Sequence, residues 1–135
     1  MKLCADTWFL IELSRNEKHA MNVLKRTEDG IHQLFIPSLA LSEFFTVLYQ
    51  KGMPSLAESI FAQIMASENI HVVPIDAESC IKIAKIKHSF GLSLSDASML
   101  AAYKITNSDA LLARDSDFQT AVKQNYVTVK TPEEI

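Results

Sequence analysis

Lys2 to Ala5 is a short, mostly apolar run that stops at Asp6. Beyond it Phe9, Leu10 and Leu13, then Met21 and Leu24, recur at helical spacing. A strand followed by a helix is expected. Gln33 to Ile36 is a second short apolar run, and Pro37-Ser38 fits a turn with Ser38 as N-cap of a helix that continues to about Gln50. Gly52 and Pro54 punctuate the chain. Ser55 then begins a helix whose apolar face is Ala57, Ile60, Phe61, Ile64 and Met65, and which stops near Glu68. His71 to Ile75 reads as a β-branched strand interrupted by Pro74. Ile81, Ala84, Ile86 and Phe90, interleaved with Lys82, Lys85 and Lys87, predict a half-exposed helix ended by Gly91. Ser93 or Ser95 caps the next helix, which runs through Tyr103 and whose Ala97, Ala101 and Ala102 let it lie close against a sheet. Ala110 to Ala113 is a short buried strand, Ser116 to Lys123 a brief helix and Tyr126 to Val129 a last strand.

Short apolar strands alternating with helices are the pattern of parallel βαβ units. The expected fold is therefore α/β, a three-layer α/β/α sandwich with a mostly parallel sheet. There is no internal repeat, low-complexity tract or linker, and 135 residues suit one domain spanning 1–135. In such sheets a ligand site forms at the carboxyl ends of the strands, near a topological switch point.

Composition narrows the function. A hydrophobic fraction of 48% with 21% charged residues is too apolar for disorder and too interrupted by charge for a membrane span. The first residues lack the long apolar core of a signal peptide, so a cytoplasmic protein is expected. Cys4 and Cys80 stand far apart with no Cys/His cluster, which points to two reduced, buried thiols. A net charge of -3 argues against a simple RNA-binding module, since phosphate binding draws on surplus Lys and Arg. It argues less against a metal-dependent nuclease, whose clustered carboxylates carry negative charge that the cation reverses locally.

Four acids stand where chemistry is expected. Asp6 directly follows the first strand, and Asp115 follows the Ala110 to Ala113 strand with only Arg114 between. Asp96 falls in the first turn of its helix, and Glu43 in a second turn amid Leu39, Ala40, Phe44, Phe45, Val47 and Leu48. A carboxylate in such apolar company is costly unless it is paired, protonated or bound to metal. Each acid alone has an ordinary reading: Asp6 as a helix cap, Asp96 as a partner of the helix dipole, Glu43 at the edge of an apolar face, Asp115 and Asp117 as helix-start residues. Together they make a carboxylate cage suited to Mg²⁺ or Mn²⁺.

Ala5-Asp6-Thr7, Ser42-Glu43-Phe44, Leu94-Ser95-Asp96-Ala97 and Leu112-Ala113-Arg114-Asp115-Ser116-Asp117-Phe118, in that order, resemble the PIN-domain family over nearly the whole chain. The sequence looks most like the stand-alone toxins of VapC type. The resemblance implies a parallel five-stranded sheet between helices, an active site of Asp6, Glu43, Asp96 and Asp115, and hydrolysis of RNA phosphodiester bonds. Asp117 is an additional metal-binding candidate. One departure is Ala113, where the family commonly carries a hydroxyl two positions before the last acid; Thr7 is a nearby alternative source.

Metal-assisted chemistry of this kind uses a divalent ion to lower the pKa of water and a second, about 4 Å away, to stabilise the leaving oxygen. No histidine is required: His19, His32, His71 and His88 lie in separate segments and read as surface or structural. Water attack gives a 5′-phosphate and a 3′-hydroxyl. Lys82, Lys85 and His88 share roughly one helical face and Arg114 flanks the site, making Lys82, Lys85 and Arg114 candidate RNA contacts, with a solvated surface as the plainer reading of the lysines. The resemblance also implies a small antitoxin whose C-terminal segment covers the acidic pocket, and a homodimer. Alternatives are an inactive PIN-fold interaction module, an RNA-processing nuclease outside toxin-antitoxin systems, and a phospho-acceptor receiver. The receiver lacks support, because Asp6 has no acidic neighbour.

Overall fold

A computed structural model describes residues 1–114 and 117–135, with the backbone alone at 116. Five strands and seven helices follow in the order β1 (Lys2–Ala5), α1 (Thr7–Ser14), α2 (Lys18–Glu28), β2 (Gln33–Pro37), α3 (Ser38–Gln50), α4 (Pro54–Ala66), β3 (Ile70–Val73), α5 (Ala77–Phe90), α6 (Leu94–Ile105), β4 (Ala110–Leu112), α7 (Gln119–Lys123) and β5 (Val129–Lys130). Short 3-10 turns cover Ser116–Phe118 and Pro132–Glu134. The sheet order is β3-β2-β1-β4-β5, and every pairing is parallel. This is the predicted parallel α/β sandwich.

Alternation along the strands builds two cores. Leu3, Ala5, Leu34, Ile36, Ala110 and Leu112 face α1 to α4, where Phe9, Val23, Phe44 and Ile64 are buried against them. Cys4, Leu111 and Ala113 face the other way, onto Ile83, Ile86, Leu100 and Phe118. Helices on both faces explain why the strands read as continuous apolar runs. The alanines of α6 are buried as the sequence suggested, and α6 contacts β1, β2 and β4.

Several boundaries differ from the sequence reading. The helical pattern from Phe9 to Leu24 is two helices. Asn16 turns the chain with a left-handed φ of 56°, which Asn tolerates better than most residues, and Glu17 caps α2 by accepting the Ala20 N–H. The pattern stays continuous because both helices pack on the same core. Ser38 is not a cap but the first residue of α3, with Pro37 in the cap position and no capping side chain. The fourth helix starts one residue early, at Pro54, whose fixed φ suits the first helical position. β3 ends at Val73, before Pro74, which has no N–H for the ladder. The last strand is Val129–Lys130, because Tyr126 packs against the Phe90 ring instead of pairing. Cys4 is buried as expected, but Cys80 is exposed on α5. No described helix is long and apolar enough to cross a membrane.

Candidate active site

The chain leaves β1 for β2 on one side and returns to β4 on the other, so the loops after β1 and β4 part at the β1/β4 seam. This is the crevice where open parallel sheets bind ligands. Asp6 is the first residue past β1. Its N–H still reaches the Leu112 carbonyl at 3.3 Å, and its carboxylate Oδ1 accepts the Phe9 N–H at 3.0 Å, capping α1. The side chain is therefore fixed, and only 8% of the residue is exposed. The complete burial of Cys4, with the Asp6 charge adding to it, pushes the Cys4 thiol upward in pKa, keeping that sulfur protonated and inert.

Glu43 is held from two sides. The Thr7 hydroxyl donates to Oε2 at 2.8 Å and the Ser95 hydroxyl to Oε1 at 2.6 Å. Thr7 is the first residue of α1 and Ser95 the second of α6, so one carboxylate ties three helices together. Hydroxyl bonds to an anion are short and strong, which accounts for a half-buried acid in an otherwise apolar stretch. Thr7 adjoins Asp6 and Ser95 adjoins Asp96, so the same two bonds tie Glu43 to the immediate neighbours of both aspartates. Asp96 lies in the first turn of α6, which Ser93 caps by accepting its N–H at 3.1 Å. The N-termini of α1 and α6 both stand at Glu43, and their positive ends favour its negative charge.

A carboxylate offers about four acceptor positions. Hydroxyls occupy two of those on Glu43, and the set of aspartate and glutamate oxygens is the hard-donor chemistry that Mg²⁺ and Mn²⁺ prefer. The residues present fit such an ion. Removing either orienting hydroxyl, by Thr7→Val or Ser95→Ala, is expected to lower activity or metal affinity about 10- to 100-fold while the fold persists, as read by manganese titration and circular dichroism.

Asp115 lies outside the described residues. Asp117 is exposed on the 3-10 turn anchored by buried Phe118. Ala113 is buried, and the Thr7 hydroxyl is committed to Glu43. Lys82 and Lys85 line a shallow hollow with Asp76, Glu78 and Tyr126, which none of the predicted acids borders. Arg114 is paired within the chain: its Nε is 3.4 Å from Glu12 Oε1, its terminal nitrogen contacts Glu133, and the guanidinium carbon lies 4.3 Å from the centre of the Trp8 ring. Among the described residues, the group whose ligand atoms lie within 4.8 Å of one another is Glu17, His19 and Glu133, beside this pair rather than among the predicted acids. His32 and His71 make hydrogen bonds to the N-terminal amine and Gln33. Sequence reasoning missed the surroundings of Arg114. Trp8, Glu12 and Glu133 carry no motif, and only the fold brings position 133 to position 12.

Elsewhere a groove of about 840 Å³ lies between α1, α2 and α4, lined by Leu13, Met21, Leu24, Leu56 and Ile60.

The sequence matches the family model of the PIN domain over residues 3–123. The chain belongs to the PIN domain family. No curated protein sequence matches it. Solved structures do. A toxin-antitoxin complex from Klebsiella pneumoniae is 21% identical, with a TM-score of 0.72 over 98% of this chain and 99% of that one. VapBC2 from Rickettsia felis, bound to a promoter DNA fragment, is 10% identical with a TM-score of 0.75 over 97% and 98%. Mycobacterium tuberculosis VapC20, a toxin that cleaves the sarcin-ricin loop, is 18% identical with a TM-score of 0.67 over 88% and 94%. At these identities the likeness establishes a shared PIN fold along nearly the full chain. PIN domains are generally nucleases that use divalent metals.

Proposed function

We propose that this PIN domain is a Mg²⁺- or Mn²⁺-dependent endoribonuclease and the toxin of a toxin-antitoxin pair. The observation that carries the reading is Glu43, clamped by Thr7 and Ser95, the sequence neighbours of Asp6 and Asp96, near the switch point where Asp6 leaves β1. Asp6, Glu43, Asp96 and Asp115 would hold the ions, with Asp117 at the edge. When bound, such an ion makes water a stronger acid near neutral pH and offsets charge on the phosphate. The chain's own contribution is rigidity. Asp6 is fixed by a cap, Glu43 by two hydroxyls and Asp96 by the start of a buried helix, so a phosphodiester meets carboxylates that need not reorganise.

The toxin reading draws on relatives whose structures are toxin-antitoxin complexes. It requires a small antitoxin. The apolar groove beside α4 gives this chain a surface that a partner's apolar segment can cover, while the acidic pocket suits a basic side chain. A homodimer, a single domain over 1–135 and a cytoplasmic location complete the proposal.

The test is cleavage of mixed tRNA and rRNA by the purified protein with Mg²⁺, Mn²⁺ or EDTA, followed by analysis of the ends. Cutting that EDTA abolishes, leaving 5′-phosphate and 3′-hydroxyl, is expected. Cyclic phosphate ends would overturn the chemistry. No cutting, with no metal bound by calorimetry, would instead make the protein an inactive PIN-fold interaction module. A neighbouring short gene for a DNA-binding antitoxin separates a toxin from an RNA-processing nuclease.

A further inference from the structure

Arg114 is placed to meet substrate yet is already engaged. Asp6 and Leu112 pair across the β1/β4 seam, and Trp8 and Arg114 each stand two residues beyond them. Their stack therefore sits just beyond the carboxyl ends of β1 and β4, past Asp6, with the guanidinium carbon 4.3 Å from the indole centre. A guanidinium lying on an aromatic face is a planar fork with its direction set, the geometry that recognises a phosphate. Two carboxylates claim this fork. Glu133 comes from the 3-10 turn Pro132–Glu134, which packs on α2, and Glu12 from the second turn of α1.

The balance of charge in this corner is negative. Glu12 and Glu133 flank one arginine, with Glu17 near both of these acids, and Glu12 Oε2 is a buried oxygen with no hydrogen-bond partner among the described residues. Burial pushes the Glu12 carboxyl above its usual pKa against the pull of Arg114, whereas the Arg114 hydrogen bond holds Glu133 down at about 2. Glu133 therefore stays ionised through the neutral range. Arg114 as it stands offers a phosphate little net attraction.

We infer that Arg114 is a phosphate-binding residue of the RNA track held closed by Glu133 and Glu12, so that the turn Pro132–Glu134 sets how tightly the pocket takes a nucleic-acid backbone. An incoming phosphate replaces Glu133 on the same fork, and Trp8 keeps the guanidinium aimed while the exchange occurs. The inference rests on the ribonuclease reading for its ligand but concerns binding rather than cleavage.

The experiment is fluorescence anisotropy of a labelled single-stranded RNA oligonucleotide in EDTA, where nothing is cut, with wild type, Glu133→Gln, Arg114→Gln and the double variant. Glu133→Gln is expected to bind about two- to fivefold more tightly, the scale of one exposed ion pair. Its affinity should also fall more steeply with salt, by about 0.7 in the logarithmic slope, the value for one more neutralised phosphate on a single strand. Both changes should vanish when Arg114 is Gln. Glu12→Gln should act in the same direction, which covers the case in which Glu133→Gln melts too early to assay. An equal gain in the Arg114→Gln background would mean a general field effect and overturn the inference, as would no gain at all. Metal-dependent cleavage by wild type with an additive cycle removes this inference alone. A coupled cycle without cleavage removes the nuclease reading alone; RNA binding by none of the proteins overturns the inference, and removes both readings only where cleavage with metal is absent too.

Discussion

Glu43→Gln should leave this PIN domain folded and reduce the proposed metal-dependent cleavage of RNA by about a thousandfold or more. The substitution keeps the shape of the side chain and one oxygen for Thr7 or Ser95 while removing the charge between them. A thousandfold loss corresponds to about 4 kcal/mol of transition-state stabilisation, within the several kcal/mol that a well-held cation supplies. Asp96→Asn should behave alike, since it neutralises another proposed ligand at the start of α6 without opening the core. The competing explanation is that Glu43 only cross-links three helices. In that case Gln would lower the melting temperature and spare the turnover of what stays folded. Single-turnover cleavage and thermal melting on the same samples separate the two, and activity within about tenfold of wild type would remove Glu43 from the metal set.

Phe44→Ala should be the most destabilising of the substitutions considered, because Phe44 is 1% exposed and wedged between α3 and the sheet face formed by Leu34, Ile36 and Leu112. Truncating a buried Phe costs about 3–5 kcal/mol in lost transfer energy and residual cavity. Against a total stability of roughly 5–15 kcal/mol, that is a large share. Urea unfolding should show the midpoint falling with an unchanged slope, as expected when the native contacts weaken and the exposed surface does not change. A change under about 1 kcal/mol would mean that α3 closes over the space, and that the helix presenting Glu43 is softer than its packing implies. The two experiments therefore address one helix from its two sides, the polar knot and the apolar seat.

What was legible beforehand follows a physical divide. Strands buried on both faces announce themselves as apolar runs, so Leu3 to Ala5, Leu34 to Ile36 and Ala110 to Leu112 gave the sheet, and Asp6 marked the end of its central strand. Boundaries set by single residues were harder to read. Asn16 breaks a helix without breaking its hydrophobic pattern, since the helices on either side serve one core. Glu43 stood out as a charge in apolar company, but its partners were not predictable: Ser95 lies 52 residues away, and its hydroxyl looked like a helix cap. That capping task belongs to Ser93. Arg114 was recognised as flanking the site, while its engagement with Glu12, Glu133 and Trp8 comes from three separate elements that only tertiary structure joins.

The position of β1 carries one more consequence. It is the first of the five strands in chain order and the central strand of the sheet, pairing Leu3 with Leu34 on one side and Ala110 on the other. The Lys2 N–H likewise bonds the Asp109 carboxylate across 107 residues. Contacts of such sequence separation form late and slowly. Asp6 must therefore wait for β4, whose Ala110 pairs with Leu3, before its surroundings exist, and a polypeptide that has not yet reached β4 has no β1/β4 crevice in which to act. In the proposed ribonuclease, this order of strands would delay activity until β4 has been made. The proposed antitoxin would gain that interval to arrive.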